Sequence, residues 1–384
     1  MGSAPLGVPI SHWELARRRA TPGRTPSGLP VLHPRRADAL TGWENPPRHC
    51  IRGVLFRHAV SGCAALKAAK GHWVSTGGRL PNLVVAGVPK AGTGSLFAYL
   101  TQHPDICGGD QKEVGYLNYY DPTRHTSEPP PLETYMGHFE SCRDQRYVVD
   151  ATPTYSYGGA PVIDAIRQHL QHPKIIISLR NPVERLWSAF TYQRTLGNLN
   201  DLPQFEEYLR VCELREREAA PLVPHDHLHG LRIGFYDRYI GLWLDAFGDD
   251  LKVIFAEDLA RHPSTVLGDI FGWLGLDADV APDMDLGRRN TTKHARSTRV
   301  AKLVYSTKRS ADKFNLLPTG VRGPLRRAYW RVNAGTPGER LDPEMRRYVE
   351  NIYKDSNAAT AQALSGHGYH DLPGWLTAAV QRPS

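Results

Sequence analysis

The stretch VVAGVPKAGTGSL, residues 84–96, is a β-branched run that breaks into a glycine-rich turn and then a helix-forming tail. Such a strand–turn–helix unit is built to hold an anion, because the glycines let the backbone approach closely and the first amides of the helix point at the ligand. Gly87 and Gly92 have the spacing of a Walker A loop, yet Thr93 follows the second glycine where that loop needs lysine. The lysine stands inside the turn, at Lys90. The loop therefore suits a phosphate whose bridging atom leads to a transferable group, with Lys90 aimed at the bridge. The amides and hydroxyls of Ala91, Gly92, Thr93, Gly94 and Ser95 lie around the phosphate.

Outward from this loop the chain alternates strand and helix signals. Short apolar runs at 83–86, 147–149, 174–179 and 251–255 read as buried parallel strands. Helical patterns fall at 95–102, 182–194, 205–217 and 236–247, the last with Tyr236, Tyr239, Ile240, Trp243, Leu244 and Phe247 on one stripe. The Pro-rich stretch 128–131 and the segment 221–230 read as surface loops. The pattern predicts an α/β fold, a P-loop-like three-layer α/β/α with a central parallel sheet.

A second constellation, KIIISLRNPVERLWSAFTY at 174–192, reads as a strand ending at Arg180 and a helix with Asn181 as N-cap and Pro182 in its first turn. Arg185, Ser188 and Tyr192 recur at helical spacing on one face. Arg180 and Ser188 suit a second phosphate, the guanidinium supplying paired hydrogen bonds.

Together the two stretches resemble the sulfotransferase family that uses 3′-phosphoadenosine 5′-phosphosulfate (PAPS). The family's PKxGT loop is matched by Pro89, Lys90, Ala91, Gly92 and Thr93, and its RxxxxRxxS segment by Arg180, Arg185 and Ser188. HPDI at 103–106, DATPTY at 150–155, AEDLARHP at 256–263 and LDPEMRRYVENIY at 341–353 extend the resemblance over about residues 81–376. It implies PAPS as co-substrate with no metal, and sulfuryl transfer to a hydroxyl of a glycan, glycolipid or small metabolite. The KE pair at 112–113 resembles the carbohydrate and heparan-type branch, which implies Glu113 as general base. Lys90 then stabilises the leaving phosphate. His103, in the HPDI turn, is the rival base, as a histidine serves in the small-molecule branch. Gly94, Ala151 and Gly115 stand where heparan-type enzymes usually carry basic residues, which disfavours a heparan-like substrate. RRNTTKHARSTR at 288–299 is similar to the family's late basic loop, so Lys293 and Arg296 are expected to reach the nucleotide. A Mg-dependent P-loop kinase using ATP, and a non-catalytic nucleotide-binding protein, are the alternatives.

Composition sets the surroundings. The net charge of +8 is uneven: residues 1–80 hold twelve Lys/Arg against three Asp/Glu, a net +9, which leaves 35 against 36, or −1, for 81–384. Residues 1–80 read as a basic, partly disordered extension, with an amphipathic helix at 51–70 suited to peripheral membrane contact, and 81–384 as the catalytic domain. No aromatic-interleaved basic motif accompanies the charge, so nucleic acid is not an expected partner. The five cysteines are scattered and odd in number, which predicts no disulfide framework and no zinc site and suits a reducing compartment. The absence of an apolar span or leader pattern predicts a cytoplasmic protein. His225, His227 and His229 alternate in a loop without a carboxylate or cysteine at metal-site spacing.

Overall fold

The computed structural model describes residues 78–125, 127–219, 227–287 and 340–380. Expectations for residues 1–77, for His225 and for the basic loop carrying Lys293 and Arg296 fall outside them. Five parallel strands form one sheet: β1 (Leu83–Gly87), β2 (Ile106–Gly108), β3 (Tyr147–Asp150), β4 (Lys174–Leu179) and β5 (Leu251–Phe255), in the order β2-β3-β1-β4-β5. Parallel strands need crossovers, and the helices that make them cover both faces. These are α1 (Thr93–Leu100), α2 (Leu132–Gly137), α3 (Gly159–His169), α4 (Pro182–Thr195), α5 (Phe205–Arg217), α6 (Ile240–Phe247), α7 (Ala256–Arg261) and α8 (Pro263–Leu274), followed by α9 (Pro343–Gly366) and α10 (Gly374–Val380).

Alternate residues of the strands feed opposite layers. Val84, Ile175, Ile177 and Val253 pack with α3 and α6 through Ile166 and Trp243, whereas Leu83, Val85, Ile176 and Ile254 pack with α1 and α8 through Leu96 and Phe271. This period of two on a sheet covered from both sides gives the three-layer α/β/α architecture. A third cluster, built on Leu186, Phe190, Tyr208 and Tyr353, joins α4 and α5 to α9. No helix among the described residues is long and apolar enough to cross a membrane.

The four expected strands form within a residue of their predicted ends, and α5 has the predicted bounds. Two expectations are corrected. The helix predicted over 236–247 is a 3-10 turn at Tyr236–Arg238 followed by α6, because Tyr239 takes a non-helical φ of −141° and interrupts the ladder. The cysteines are not all unpaired: Cys107 on β2 and Cys142 beyond α2 form a disulfide across a separation of 35 residues. β2 pairs with β3 as the edge strand, and the chain returning toward β3 brings Cys142 to a Cα distance of 5.6 Å. The pairing removes the ground on which a reducing compartment was expected.

Closing a loop of this length restricts the unfolded chain, worth about 2–4 kcal/mol. A Cys142→Ser variant, or the wild type in dithiothreitol, is expected to lose that much in urea denaturation. Coincident curves with and without reductant would show that the link contributes nothing.

Candidate active site

β1 and β4 are hydrogen-bonded neighbours, and their register shifts between Val85 and Gly87, where β1 turns out of the sheet. Gly87 is required by close approach: a Cβ there would lie 2.4 Å from the Ser156 Cβ. The loop is then fastened to the end of β4. The Val88 amide donates to the Ser178 carbonyl (2.9 Å), the Ser178 hydroxyl donates to the Ala91 carbonyl (2.7 Å), and Arg180 Nη1 donates to the Lys90 carbonyl (2.9 Å). With those carbonyls drawn toward β4, Gly92 enters α1 in the left-handed conformation (φ 80°) and no side chain caps the helix. The Ser95 amide donates back to the Gly92 carbonyl (2.9 Å), but the amides of Thr93 and Gly94 stand where a helix has no partner for them, so this turn is open to an anion. Ala91 and Thr93 are buried, while Lys90, Gly92, Gly94 and Ser95 reach the surface to differing extents.

Lys90 is half-buried and itself left-handed, at φ 72°. A non-glycine residue there is strained by roughly 1–3 kcal/mol, a cost found mainly at functional sites. Its ammonium lies 3.9 Å from the centre of the Tyr192 ring. Burial first, and then the nearby Arg180 and Lys112 charges, pull the Lys90 pKa down to about 8, while Glu113 acts in the opposite sense. Lys90, Arg180 and Lys112 thus share one electrostatic neighbourhood with Glu113. A concentration of positive charge that depresses its own lysine is relieved by a bound anion.

The Arg180 helix begins as its sequence requires. Asn181 Oδ1 accepts from the amides of Val183 (2.9 Å) and Glu184 (3.4 Å), and Pro182 occupies the first turn. Along α4, Arg185 is 1 % exposed, Ser188 9 % and Tyr192 42 %, so the face climbs from core to surface. Arg185, part of the matched motif, points inward and donates from Nη2 to the Gly230 carbonyl. Of these residues Arg180 reaches the loop directly through the Lys90 carbonyl, and Tyr192 covers the Lys90 ammonium.

Glu113 sits opposite, at φ 66°, with an exposed side chain paired to Lys112 at 2.5 Å. His103 is 2 % exposed, with Nδ1 accepting the Asp105 amide (3.1 Å), Nε2 at 3.2 Å from the Asp277 carbonyl, and its ring against Phe271. An accepting Nδ1 and a donating Nε2 fix a neutral tautomer in the turn, and neither nitrogen is open to a substrate. Among the described residues no group of His, Cys, Asp or Glu is arranged to hold a metal. The sequence reading gave no role to Ser178, placed Tyr192 only on the face of Arg185 and Ser188, and considered Asp150 only as the acidic strand end that a Mg-dependent kinase would need. A serine inside the apolar KIIISL run and an aspartate closing the β-branched YVVD run were the available signals.

The profile of the sulfotransferase domain matches residues 80–361. The chain belongs to the sulfotransferase family. Human heparan sulfate glucosamine 3-O-sulfotransferase 3A1 is 26% identical over 262 residues, covering 68% of this chain and 58% of the relative. The membrane-associated sulfotransferase kil1 of Dictyostelium discoideum is 33% identical over 130 residues, covering 33% of this chain and 26% of the relative. The matches thus span little more than half the length of the human relative and about a quarter of the Dictyostelium one. Among solved structures, a sulfotransferase from Alicyclobacillus acidocaldarius superposes with a TM-score of 0.53 at 21% identity, covering 77% of this chain and 99% of the other, which supports the same fold.

The Lys90 pKa carries a pH consequence. Because the folded value is lowered from 10.5 to about 8, the folded protein holds fewer protons at Lys90 than the unfolded chain between those values. Lys90 therefore contributes stability that increases with pH over that window, while anion binding, which needs the charged form, weakens. The affinity for 3′-phosphoadenosine 5′-phosphate (PAP) is expected to fall as pH rises through about 8, and Lys90→Arg to move that limb beyond pH 10. Calorimetric titrations from pH 6 to 10 check this, and a flat profile in the wild type would contradict it.

Proposed function

We propose that this sulfotransferase-family chain moves the sulfuryl group of PAPS to a hydroxyl of a glycan-type acceptor. The observation that carries the reading is Lys90, strained, half-buried and lowered toward neutrality beside Arg180. An anion seated in the loop favours the charged form of such a lysine. The residues present suit PAPS: the uncapped amides of Gly92, Thr93 and Gly94 with the Ser95 hydroxyl for the 5′-phosphate, and Arg180 with Ser188 for the 3′-phosphate. PAPS supplies, when bound, an activated sulfuryl group carried on a phosphate leaving group.

Lys90 offers positive charge where negative charge builds on the leaving phosphate as the S–O bond breaks, in a site already preorganised by Ser178 and Arg180. Glu113, whose carboxylate reaches solvent, takes the proton of the acceptor hydroxyl. Its ion pair with Lys112 holds the carboxylate ready without burying it. With both nitrogens of His103 engaged in the turn, Glu113 is the stronger of the two bases considered. A glycan acceptor accords with the heparan sulfate enzymes among the relatives.

Labelled PAPS, supplied with a panel of desulfated glycosaminoglycans and alkyl glycosides, tests the reading through product mass. Lys90→Ala is expected to lower turnover by about 100-fold or more, and the wild-type rate to persist in EDTA. Glu113→Gln is expected to leave PAP affinity near that of the wild type and to reduce turnover by about 100- to 10,000-fold. Normal turnover in Glu113→Gln would remove Glu113 from the chemistry, and strict Mg²⁺ dependence would point to phosphoryl rather than sulfuryl transfer.

A further inference from the structure

Asp150 ends β3 at the core of the protein, 1 % exposed, and its carboxylate is surrounded by hydroxyls. Thr152 Oγ1 donates to Oδ1 at 2.7 Å, and the hydroxyls of Tyr135 and Tyr155 donate to Oδ2 at 2.8 Å each. A buried carboxylate costs several kcal/mol unless its lone pairs are filled, so these donors explain how Asp150 is tolerated. They do not explain why it is there, since a valine would complete the strand without that cost.

The second use of the same hydroxyls supplies the reason. Thr152 Oγ1, its proton committed to Asp150, accepts the Gly115 amide at 3.2 Å. The Tyr155 hydroxyl, committed in the same way, accepts the Leu117 amide at 3.2 Å. A neutral hydroxyl is free to rotate between donating and accepting, whereas one that must donate to a carboxylate presents a fixed lone pair. Asp150 therefore turns two hydroxyls into acceptors for the backbone that follows Glu113. That backbone needs holding, because Glu113 (φ 66°) and Gly115 (φ 76°) are both left-handed within three residues. Asn118 adds a lateral tie, its Nδ2 donating to Thr154 Oγ1 at 3.0 Å.

We propose that Asp150 is a positioning residue, which orients the Glu113 turn through the hydroxyls of Thr152 and Tyr155. The relay acts through local geometry: the carboxylate fixes the hydroxyls, the hydroxyls fix the amides of Gly115 and Leu117, and these fix the strained turn that carries Glu113. The catalytic consequence rests on the assignment of Glu113 as base, whereas the placement of the turn does not.

Two measurements on the full chain separate the two. Hydrogen exchange is read on the amides of 113–118 in Thr152→Val, Tyr155→Phe and Asp150→Asn, with Thr152→Ser as the conservative control that keeps the hydroxyl. Exchange is expected to rise at least 10-fold at Gly115 in Thr152→Val and at Leu117 in Tyr155→Phe, at both in Asp150→Asn, and to return toward wild type in Thr152→Ser. Wild-type protection in all of them overturns the proposal, and a rise spread evenly over the sheet shows a loss of fold instead and likewise overturns it. The second measurement is a double-mutant cycle on turnover of labelled PAPS. Thr152→Val is expected to lower kcat about 10- to 100-fold beside Glu113, the scale of a small misplacement of a catalytic group, with PAP affinity retained, and to add almost nothing beside Glu113→Gln. Equal losses in both backgrounds would show that Thr152 acts elsewhere. Normal turnover in Glu113→Gln alone would defeat the assignment of the base, while the exchange data would still report on the turn.

Discussion

The site depends on where two carbonyls point. The C=O groups of Lys90 and Ala91 are drawn to the end of β4 by the guanidinium of Arg180 and the hydroxyl of Ser178. In a turn this short, fixing the carbonyls fixes the peptide planes: the Ala91 amide closes the turn on the Val88 carbonyl (3.2 Å), and the Gly92 amide faces away from the Ala91 carbonyl and so away from β4. The same two contacts hold Lys90 in a backbone conformation it would not adopt by itself. Arg180 thus has two effects at once: it orders the loop through its hydrogen bond and, through its charge, lowers the cost of removing a proton from Lys90.

A parallel sheet makes this economical. Because β1 and β4 are neighbours running in the same direction, both end at one edge, and the loops that leave them meet there. β3, on the other side of β1, ends at the same edge with Asp150. The three strand ends therefore supply the phosphate loop, the guanidinium and the carboxylate behind the Glu113 turn. This is the crevice beyond the carboxyl ends of strands at which α/β sheets generally bind ligands. The helical layers stabilise the sheet, and the chemistry stays on its rim.

Much of this was legible in the sequence where one physical signal dominated. Lys174–Leu179 and Leu251–Phe255 are apolar runs long enough to be buried on both faces, so their strands emerged with the right bounds. Asn181-Pro182 fixed the start of α4 because capping chemistry is local. The edge strand β2 carried too little signal, being three residues that include Cys107 and Gly108. The break at Tyr239 was hidden because its side chain keeps the apolar stripe while its backbone leaves the helix. The disulfide was illegible for a related reason: nothing in the spacing of Cys107 and Cys142 says that β2 lies beside the chain returning to β3. At the site, the residue types around the phosphate loop could be read, but the ring of Tyr192 over Lys90 and the hydroxyls around Asp150 exist only through tertiary contact.

The depressed Lys90 ammonium has a consequence for the chemistry of the isolated protein. With a pKa of about 8, roughly one molecule in ten carries a free amine at this position at pH 7, whereas an ordinary lysine is uncharged in fewer than one in a thousand. Free amines are nucleophiles, so this loop makes Lys90 a preferred target for acylating and aldehyde reagents applied at neutral pH. A bound anion restores the charge and withdraws that reactivity. Lys90 is therefore also a covalent reporter of whether the loop is filled.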